Sequence, residues 1–338
     1  MKILSIVVPT YNMEQYLSRC LDSVTCISTI DNIEVIVVND GSTDSSSAIA
    51  HQYANKFPQS VIVIDKKNEN YGSCINAALR ISTGKYIRVL DADDWFDSEN
   101  LELLLEKLQN VTVDAIITHY TKEFVKGNRT KYAKTTFSHF DEIIPINSNL
   151  LFDVNINKDF VMHKLMYRTD LLRNINYHQT EGISYTDTEY VYYPLMHVQN
   201  IIFYDLTLYR YYIGREGQTV SIPSRIKHAD DMYVILQRIM KNTALKDNVF
   251  LNQVRLNLLT TFFASYYWSV LVIQKLTIAN NENLRRMDCL LKKWDVELYT
   301  RLDSVKCLGI RYIHYWRKKK TTIIPYKVYC YLHRLFIF

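Results

Sequence analysis

The first 120 residues alternate short, nearly unbroken apolar runs with longer stretches of mixed polarity. That is the pattern of a parallel sheet whose strands are buried on both faces by connecting helices. Strands are expected over Ile3–Val8, Ile33–Val38, Val61–Ile64, Tyr86–Leu90 and Val113–Thr118. Helices are expected from Met13 to about Thr25, from the GSTDSSS cluster that opens at Gly41, from Ser73 to about Ser82 and from Ser98 to Leu108. The Ser/Thr/Asp cluster suits N-capping, and Asp97 or Ser98 caps the fourth helix with Glu99 in its first turn. Between 120 and 220 the pattern is mixed: Lys158–Arg173 and Asp187–Val198 read as helices, and Ile201–Tyr204 and Leu208–Tyr212 as strands. Beyond Pro223 long helical patterns with charged faces take over, such as Leu284–Trp294.

The fold class these patterns imply is α/β: a mostly parallel central sheet with helices on both faces, followed by a helical C-terminal region. With 338 residues, about two domains are expected. Their expected bounds are 1–222, with an internal division at about 120, and 223–338.

Composition removes several classes of function. The chain is 48% hydrophobic and carries 40 basic against 35 acidic side chains, so it is globular and is not a nucleic-acid-coating protein by charge. Its eight glycines include no GxG pair, which excludes both the GxGxxG dinucleotide fingerprint and the GxxxxGK[ST] phosphate loop. The six cysteines have no CxxC or zinc spacing and read as reduced cytosolic thiols. The opening apolar run ends at Pro9, too short for a secretory signal core, so a cytoplasmic location is expected.

Two features bear on membranes. Leu256–Ile273 carries no charge over 18 residues but holds Asn257, Thr260, Thr261, Ser265 and Ser269, which favours a core helix over a span. From Arg311 onward the cations Arg311, Arg317, Lys318, Lys319, Lys320, Lys327 and Arg334 meet no acid. They alternate with Tyr312, Tyr315, Trp316, Tyr326, Tyr329, Tyr331, Phe336 and Phe338, a pattern suited to an anionic membrane surface at about 1 kcal/mol per cation.

The candidate chemistry gathers at strand ends. RVLDADDW delivers Asp91, Asp93 and Asp94 after an apolar strand, and ligands of open α/β sheets bind outside the carboxyl ends of strands. Carboxylates this close repel unless a cation lies among them, and Mg2+ or Mn2+ held by Asp91 and Asp93 together with substrate phosphates resolves the repulsion. The first strand ends in Pro9-Thr10-Tyr11-Asn12 and the second in Asn39-Asp40-Gly41 on the same expected edge. There Tyr11 offers a ring for a base, Asp40 an acceptor for a base N–H or ribose hydroxyl, and Gly41 a close backbone approach.

The segments VVPTYN, VVNDGSTD and NENYGSCINAALRISTGKYIRVLDADDW, in this order and spacing, closely resemble family 2 glycosyltransferases of the GT-A fold over residues 1 to about 110. A looser likeness continues through HKLMYRTDLL, EGISYTDTEYVYYPL and LYRYYIGREGQTVS. The resemblance implies an inverting transfer of a sugar from a nucleotide diphosphate, a UDP-sugar, to a glycan or lipid-linked oligosaccharide in surface polysaccharide assembly, at the inner face of the cell membrane. It implies nucleotide contacts by Thr10, Tyr11, Asn12, Asp40, Lys66, Asn70, Gly72, Asp91 and Arg215, and Asp187 as general base. Where the family carries Glu-Asp this chain has Thr186-Asp187, with Glu181 and Glu189 nearby. Lys164 and Arg168 are acceptor candidates, Gln218 a partner of Arg215, His163 an additional metal ligand or a structural histidine, and Trp95 a support under the acidic loop. Two other readings of the same residues are a sugar-phosphate nucleotidyltransferase, whose Gly-rich basic loop is missing after the first strand, and a non-catalytic nucleotide-binding scaffold, which needs no base.

Overall fold

The computed structural model describes residues 2–321 except 216, 217, 219, 220, 244–246 and 275. The described residues form two compact units: one comprises 1–215 with 248–251, and the other begins after Arg215.

The first unit is a three-layer α/β structure. Strands β1 (Leu4–Thr10), β2 (Ile33–Asn39), β3 (Val61–Asp65) and β4 (Tyr86–Val89) alternate with helices α1 (Leu17–Thr25), α2 (Ser46–Lys56) and α3 (Asn70–Ile81). After the two-residue β5 (Trp95–Phe96) come α4 (Ser98–Leu108), the long β6 (Ala115–Phe124), β7 (Arg129–Ala133) and β8 (Ile144–Pro145). The short helix α5 (Ile156–Asp159), β9 (Leu165–Arg168), α6 (Thr169–Asn174), α7 (Asp187–Leu195) and β10 (Asn200–Ile213) complete it. The sheet order is β3-β2-β1-β4-β9-β6-β10-β5, with β7 on β6 and β8 on β10. Strands β1 to β4 pair in parallel, as do β6 and β10, while β9 is inserted antiparallel between β4 and β6. This is the expected mostly parallel α/β sheet.

Burial follows the sequence pattern. Every residue of β2 is buried and β1 nearly so, whereas β3 lies at the sheet edge with Ile62 exposed, so its apolar run is covered less than expected. Asp97 caps α4 by accepting from the Asn100 amide at 3.1 Å.

Three expectations change. Lys158–Arg173 is not a helix: only α5 and a 3-10 turn at Met162–Lys164 precede strand β9. The reason is non-local, because Leu165–Arg168 completes ladders to both β4 and β6, and sheet pairing overrides local helix preference. Ile201–Tyr204 and Leu208–Tyr212 are not two strands but parts of one, whose register against β6 shifts between Phe203 and Thr207 and again before Tyr209. The third helix starts three residues early, at Asn70, with left-handed φ of 65° at that residue.

The second unit is helical: α8 (Ile222–Lys227), α9 (Ala229–Asn242), α10 (Val249–Trp268, continued by a π-helical turn Ser269–Ile273), α11 (Ile278–Trp294), α12 (Val296–Leu302) and α13 (Tyr312–Lys319). The span Val249–Ile273 is long and apolar enough to cross a membrane by length and composition, yet 61% of its apolar window is buried inside the protein. Arg255 at its start forms a buried ion pair with Asp295. Part of the expected cationic tail is core. Arg317 donates to Asp288 and Asp303, both at 2.7 Å, and Trp316 is fully buried with its ring 5.8 Å from Tyr267. Arg317 therefore meets two acids, contrary to the expectation, while Lys318, Lys319 and Lys320 are exposed. Lys327 and Arg334, with the aromatic residues from Tyr326 on, lie outside the described residues.

Candidate active site

The carboxyl edge of β1, β2 and β4 assembles the site. Each of these strands ends within the same layer, so Thr10, Asn39 and the Leu90-Asp91 turn emerge side by side. Thr10 is buried and its carbonyl accepts the Asp40 amide at 2.8 Å. Tyr11 is 47% exposed, with its ring presented to solvent at the strand end. Asn12 takes a left-handed φ of 53°, a conformation asparagine tolerates, and its Oδ1 accepts the Thr43 amide at 2.9 Å.

Beside them the loop from β3 to α3 folds around Asp40. The buried Asp40 carboxylate accepts from Lys66 Nζ at 2.8 Å and from the Glu69 amide at 3.0 Å, and Lys66 also donates to Ser73 Oγ at 2.9 Å. Burial pulls the Lys66 ammonium down, but hydrogen bonds to Asp40 and Glu69 outweigh it and leave the group above its usual range. Gly41, at φ +73°, lies where an added Cβ would stand 3.0 Å from the Asn68 amide nitrogen. Gly72 is packed tightly against the loop before α7: a Cβ there would lie 2.2 Å from the Thr180 carbonyl oxygen.

The acidic turn sits over a tyrosine floor. Tyr209 donates to Asp94 Oδ2 at 2.5 Å and accepts the Asp91 amide at 3.2 Å, while the Tyr212 amide donates to Asp94 Oδ1 at 2.8 Å. Asp94 is fully buried by these contacts, so it is tied into the scaffold. Tyr71 donates to Asp91 Oδ1 at 3.0 Å. Arg19 donates to the Asp93 carbonyl at 2.8 Å and stacks 3.9 Å over Trp95, which places Trp95 against the acidic loop. Burial, and then the neighbouring Asp93, push the Asp91 carboxyl up to about 7, and burial likewise raises Asp94.

The structure groups these acids differently from the expected Asp91 and Asp93 pair. Ligand atoms of Asp91, Asp94 and His163 lie within 4.8 Å of one another, while Asp93 is ion-paired with Arg215. Burial, and then the charges of Arg88 and Lys122, depress His163 to about 3, so its imidazole is neutral and keeps a lone pair. His163 is enclosed by Tyr120, Tyr209 and Tyr211 at ring distances of 5.3, 4.9 and 4.3 Å. Of these three, Asp91 and the neutral imidazole are donors that fit a divalent cation, while both Asp94 oxygens are already engaged by Tyr209 and the Tyr212 amide.

Asp187 is exposed at the first position of α7, and its charge reaches Asp91, Tyr71 and Tyr211. Neither nearby glutamate shares that placement. Glu189 is fully buried against Thr180, and Glu181 accepts from Asn76 at 2.8 Å. The two acceptor candidates are each held in an ion pair. Lys164 is buried in an ion pair with Asp159 at 2.7 Å. Arg168 pairs with Asp114 at 2.8 Å and lies in register with Tyr86, at the amino end of β4 and thus on the edge away from Asp91. Gln218 falls in the second unit. Tyr71, Tyr209 and Arg19 are the contributors that sequence reasoning missed. Only Tyr71 carried a signal, as a bulky residue between Asn70 and Gly72.

Residues 5–175, half of the chain, match the family described as glycosyl transferase family 2. The chain belongs to glycosyl transferase family 2. Glycosyltransferase GlyA of Streptococcus pneumoniae serotype 4 is 34% identical over 117 residues, which span 35% of this chain and 16% of that one. Across this and two other curated relatives the chain spans between 16% and 47% of their length. In structure the chain is similar to S. aureus TarS 1–349 in complex with UDP-GlcNAc, with a TM-score of 0.66 at 20% identity over 95% of this chain and 88% of that chain. It is also similar to the mannosyltransferase PcManGT from Pyrobaculum calidifontis in complex with GDP-Man and Mn2+, with a TM-score of 0.50 at 15% identity over 97% of this chain and 84% of that chain. These likenesses establish the GT-A type fold of the family.

Proposed function

We propose that this family 2 protein transfers a sugar from a UDP-sugar to a hydroxyl of a glycan or lipid-linked oligosaccharide in bacterial surface polysaccharide synthesis, with inversion at the anomeric carbon. The observation that carries this reading is the exposed Asp187 carboxylate, whose charge acts on both Tyr71 and Asp91, a pair joined by a 3.0 Å hydrogen bond. A sugar hydroxyl attacks an anomeric carbon only as its proton leaves, and an exposed carboxylate at the acceptor side is the group that takes it. A single displacement with one base inverts the centre, so no nucleophile is required of the chain.

The donor end is read from Asp40, Lys66 and Tyr11. Asp40 accepts from the base or ribose, Tyr11 stacks, and Lys66 orients Asp40 through their 2.8 Å bond. Asn12, Thr10 and Asn70 shape the backbone around them. A divalent cation, Mg2+ or Mn2+, would be held by Asp91 with His163 or Asp93 and would neutralise the charge of the departing diphosphate. Arg215, which pairs with Asp93, would donate to the same phosphates. The TarS complex with UDP-GlcNAc and the PcManGT complex with GDP-Man and Mn2+ support a nucleotide-sugar donor and a metal. We read the protein as cytoplasmic and held at the inner membrane face through its cationic C-terminal segment.

Calorimetric titration with a panel of nucleotide sugars, with and without Mn2+, tests this reading. A UDP-sugar that binds only with Mn2+ supports it. Absence of binding by every nucleotide sugar, with metal present and the protein folded, contradicts it.

A further inference from the structure

The loop 178–186 that delivers Asp187 has no secondary structure of its own, and within it Tyr185 holds a left-handed φ of 65°. A bulky side chain stays in that conformation only where its surroundings fix it. Two sets of contacts hold the loop that leads to it. On one side, α3 grips the loop: Asn76 Nδ2 donates to the Gln179 carbonyl at 2.9 Å and to Glu181 Oε1 at 2.8 Å, and Asn76 Oδ1 accepts the Gln179 amide at 2.9 Å. The Gly182 amide adds a bond to the Glu69 carbonyl at 2.7 Å. On the other side, Glu189 reaches back from the first turn of α7. Its Oε2 accepts the Thr180 amide at 2.7 Å and its Oε1 accepts the Thr180 hydroxyl at 2.9 Å.

We infer that Glu189 is a positioning residue for Asp187, a buried brace that ties α7 to the loop and fixes where the base stands; this rests on Asp187 being the base. Glu189 is fully buried and both its oxygens are engaged, so an acceptor hydroxyl cannot reach it. The carboxylate links Thr180 directly to the helix turn that begins with Asp187, two residues away. The same Thr180 carbonyl seats Gly72 of α3. The base is thus tied through one residue to the helix that also carries Ser73, the partner of Lys66 at the donor end.

Hydrogen-bond chemistry separates a brace from a second base. A glutamine at 189 can accept the Thr180 amide through its oxygen and donate to the Thr180 hydroxyl through its nitrogen, so the brace persists without the charge. A methionine fills similar volume and offers no acceptor. In the full chain, Glu189→Gln is expected to keep kcat within about threefold of wild type, and Glu189→Met to lower it about tenfold or more with the UDP dissociation constant unchanged. Asp187→Asn, measured alongside, is expected to lose about 100-fold.

A Glu189→Gln enzyme as defective as Asp187→Asn overturns the brace, because the charge itself would then act. Wild-type kcat in Glu189→Met also overturns it, as does a Glu189→Met enzyme whose UDP affinity falls as far as its kcat. If Glu189→Met does not fold, Thr180→Val replaces it; the lost hydroxyl should lower kcat about threefold and Thr180→Ser should restore it. Wild-type kcat in both overturns the inference. Full turnover in Asp187→Asn instead overturns the base reading itself, and the positioning role with it.

Discussion

Replacing Gly72 by alanine tests the packing between α3 and the loop before Asp187. The added methyl would lie 2.2 Å from the Thr180 carbonyl oxygen, 3.0 Å from Gln179 Cβ and 3.1 Å from the Thr180 carbonyl carbon. Ordinary carbon contacts begin near 3.4 Å. The carbonyl must therefore retreat by about 1 Å, or α3 must tilt away. Retreat is opposed on both flanks, because Asn76 holds Gln179 through two bonds and Glu189 holds Thr180 through two more. Overpacking of this kind costs about 1–3 kcal/mol. A displacement of about 1 Å at a catalytic group lowers turnover about 100-fold. We expect Gly72→Ala to lower the urea unfolding midpoint and to cut kcat far more than it weakens UDP binding. Gly127→Ala is the control: that glycine has φ +83° and open space around its missing Cβ, so only the left-handed strain of about 1–2 kcal/mol remains and turnover is retained. A Gly72→Ala protein with wild-type stability and turnover refutes the packing argument. One with wild-type stability and UDP affinity reduced as much as turnover points instead to a ligand contact at Gly72.

Three further outcomes are expected. Asp91 sits near 7 in the folded protein and near 4 when unfolded, so the fold binds a proton that the unfolded chain releases, and stability without metal falls as pH rises through that window. The thermal midpoint in EDTA should therefore rise from pH 8 to pH 6 in wild type relative to Asp91→Asn, while Mn2+ affinity should drop about tenfold over the same interval. Lys164→Met leaves the Asp159 carboxylate buried and unpaired, so it should destabilise the fold by about 3–5 kcal/mol in chemical denaturation without changing acceptor KM. For membrane association, Trp316 and Arg317 are core, so a chain cut before Arg311 is not a clean test; one ending at Thr321 retains α13. That truncated chain should sediment less with anionic vesicles than the full chain does, with the difference reduced by salt. Equal sedimentation would remove the tail as the anchor.

Much of the site was legible because it lies on local features. β1, β2 and β4 are nearly unbroken apolar runs, and parallel pairing then places their carboxyl ends, with Tyr11, Asp40 and Asp91, on one edge. The parts that were not legible depend on contacts distant in sequence. Leu165–Arg168 has good helix formers and becomes a strand only because β4 and β6 leave a slot between them. That single change moves Arg168 to the far edge and brings His163, at the opposite end of the strand, to the acids. The separation of Asp93 from Asp94 was likewise hidden. It is set by Tyr209 and the Tyr212 amide, more than 100 residues further along the chain, which bury Asp94 and leave Asp93 to Arg215. Likewise, a run of cations without acids nearby in sequence said nothing about Asp288, which folding brings to Arg317.

The central claim is that an exposed Asp187 takes the acceptor's proton while Asp40, Lys66 and Asp91 hold the donor. Its most direct measurement is sugar transfer by Asp187→Asn with the UDP-sugar found by calorimetry, run beside the binding isotherm for that donor. The asparagine keeps the shape and cannot accept a proton, so kcat should fall about 100-fold or more with donor affinity nearly unchanged. Undiminished transfer, or a loss of donor binding as large as the loss of turnover, would contradict the account.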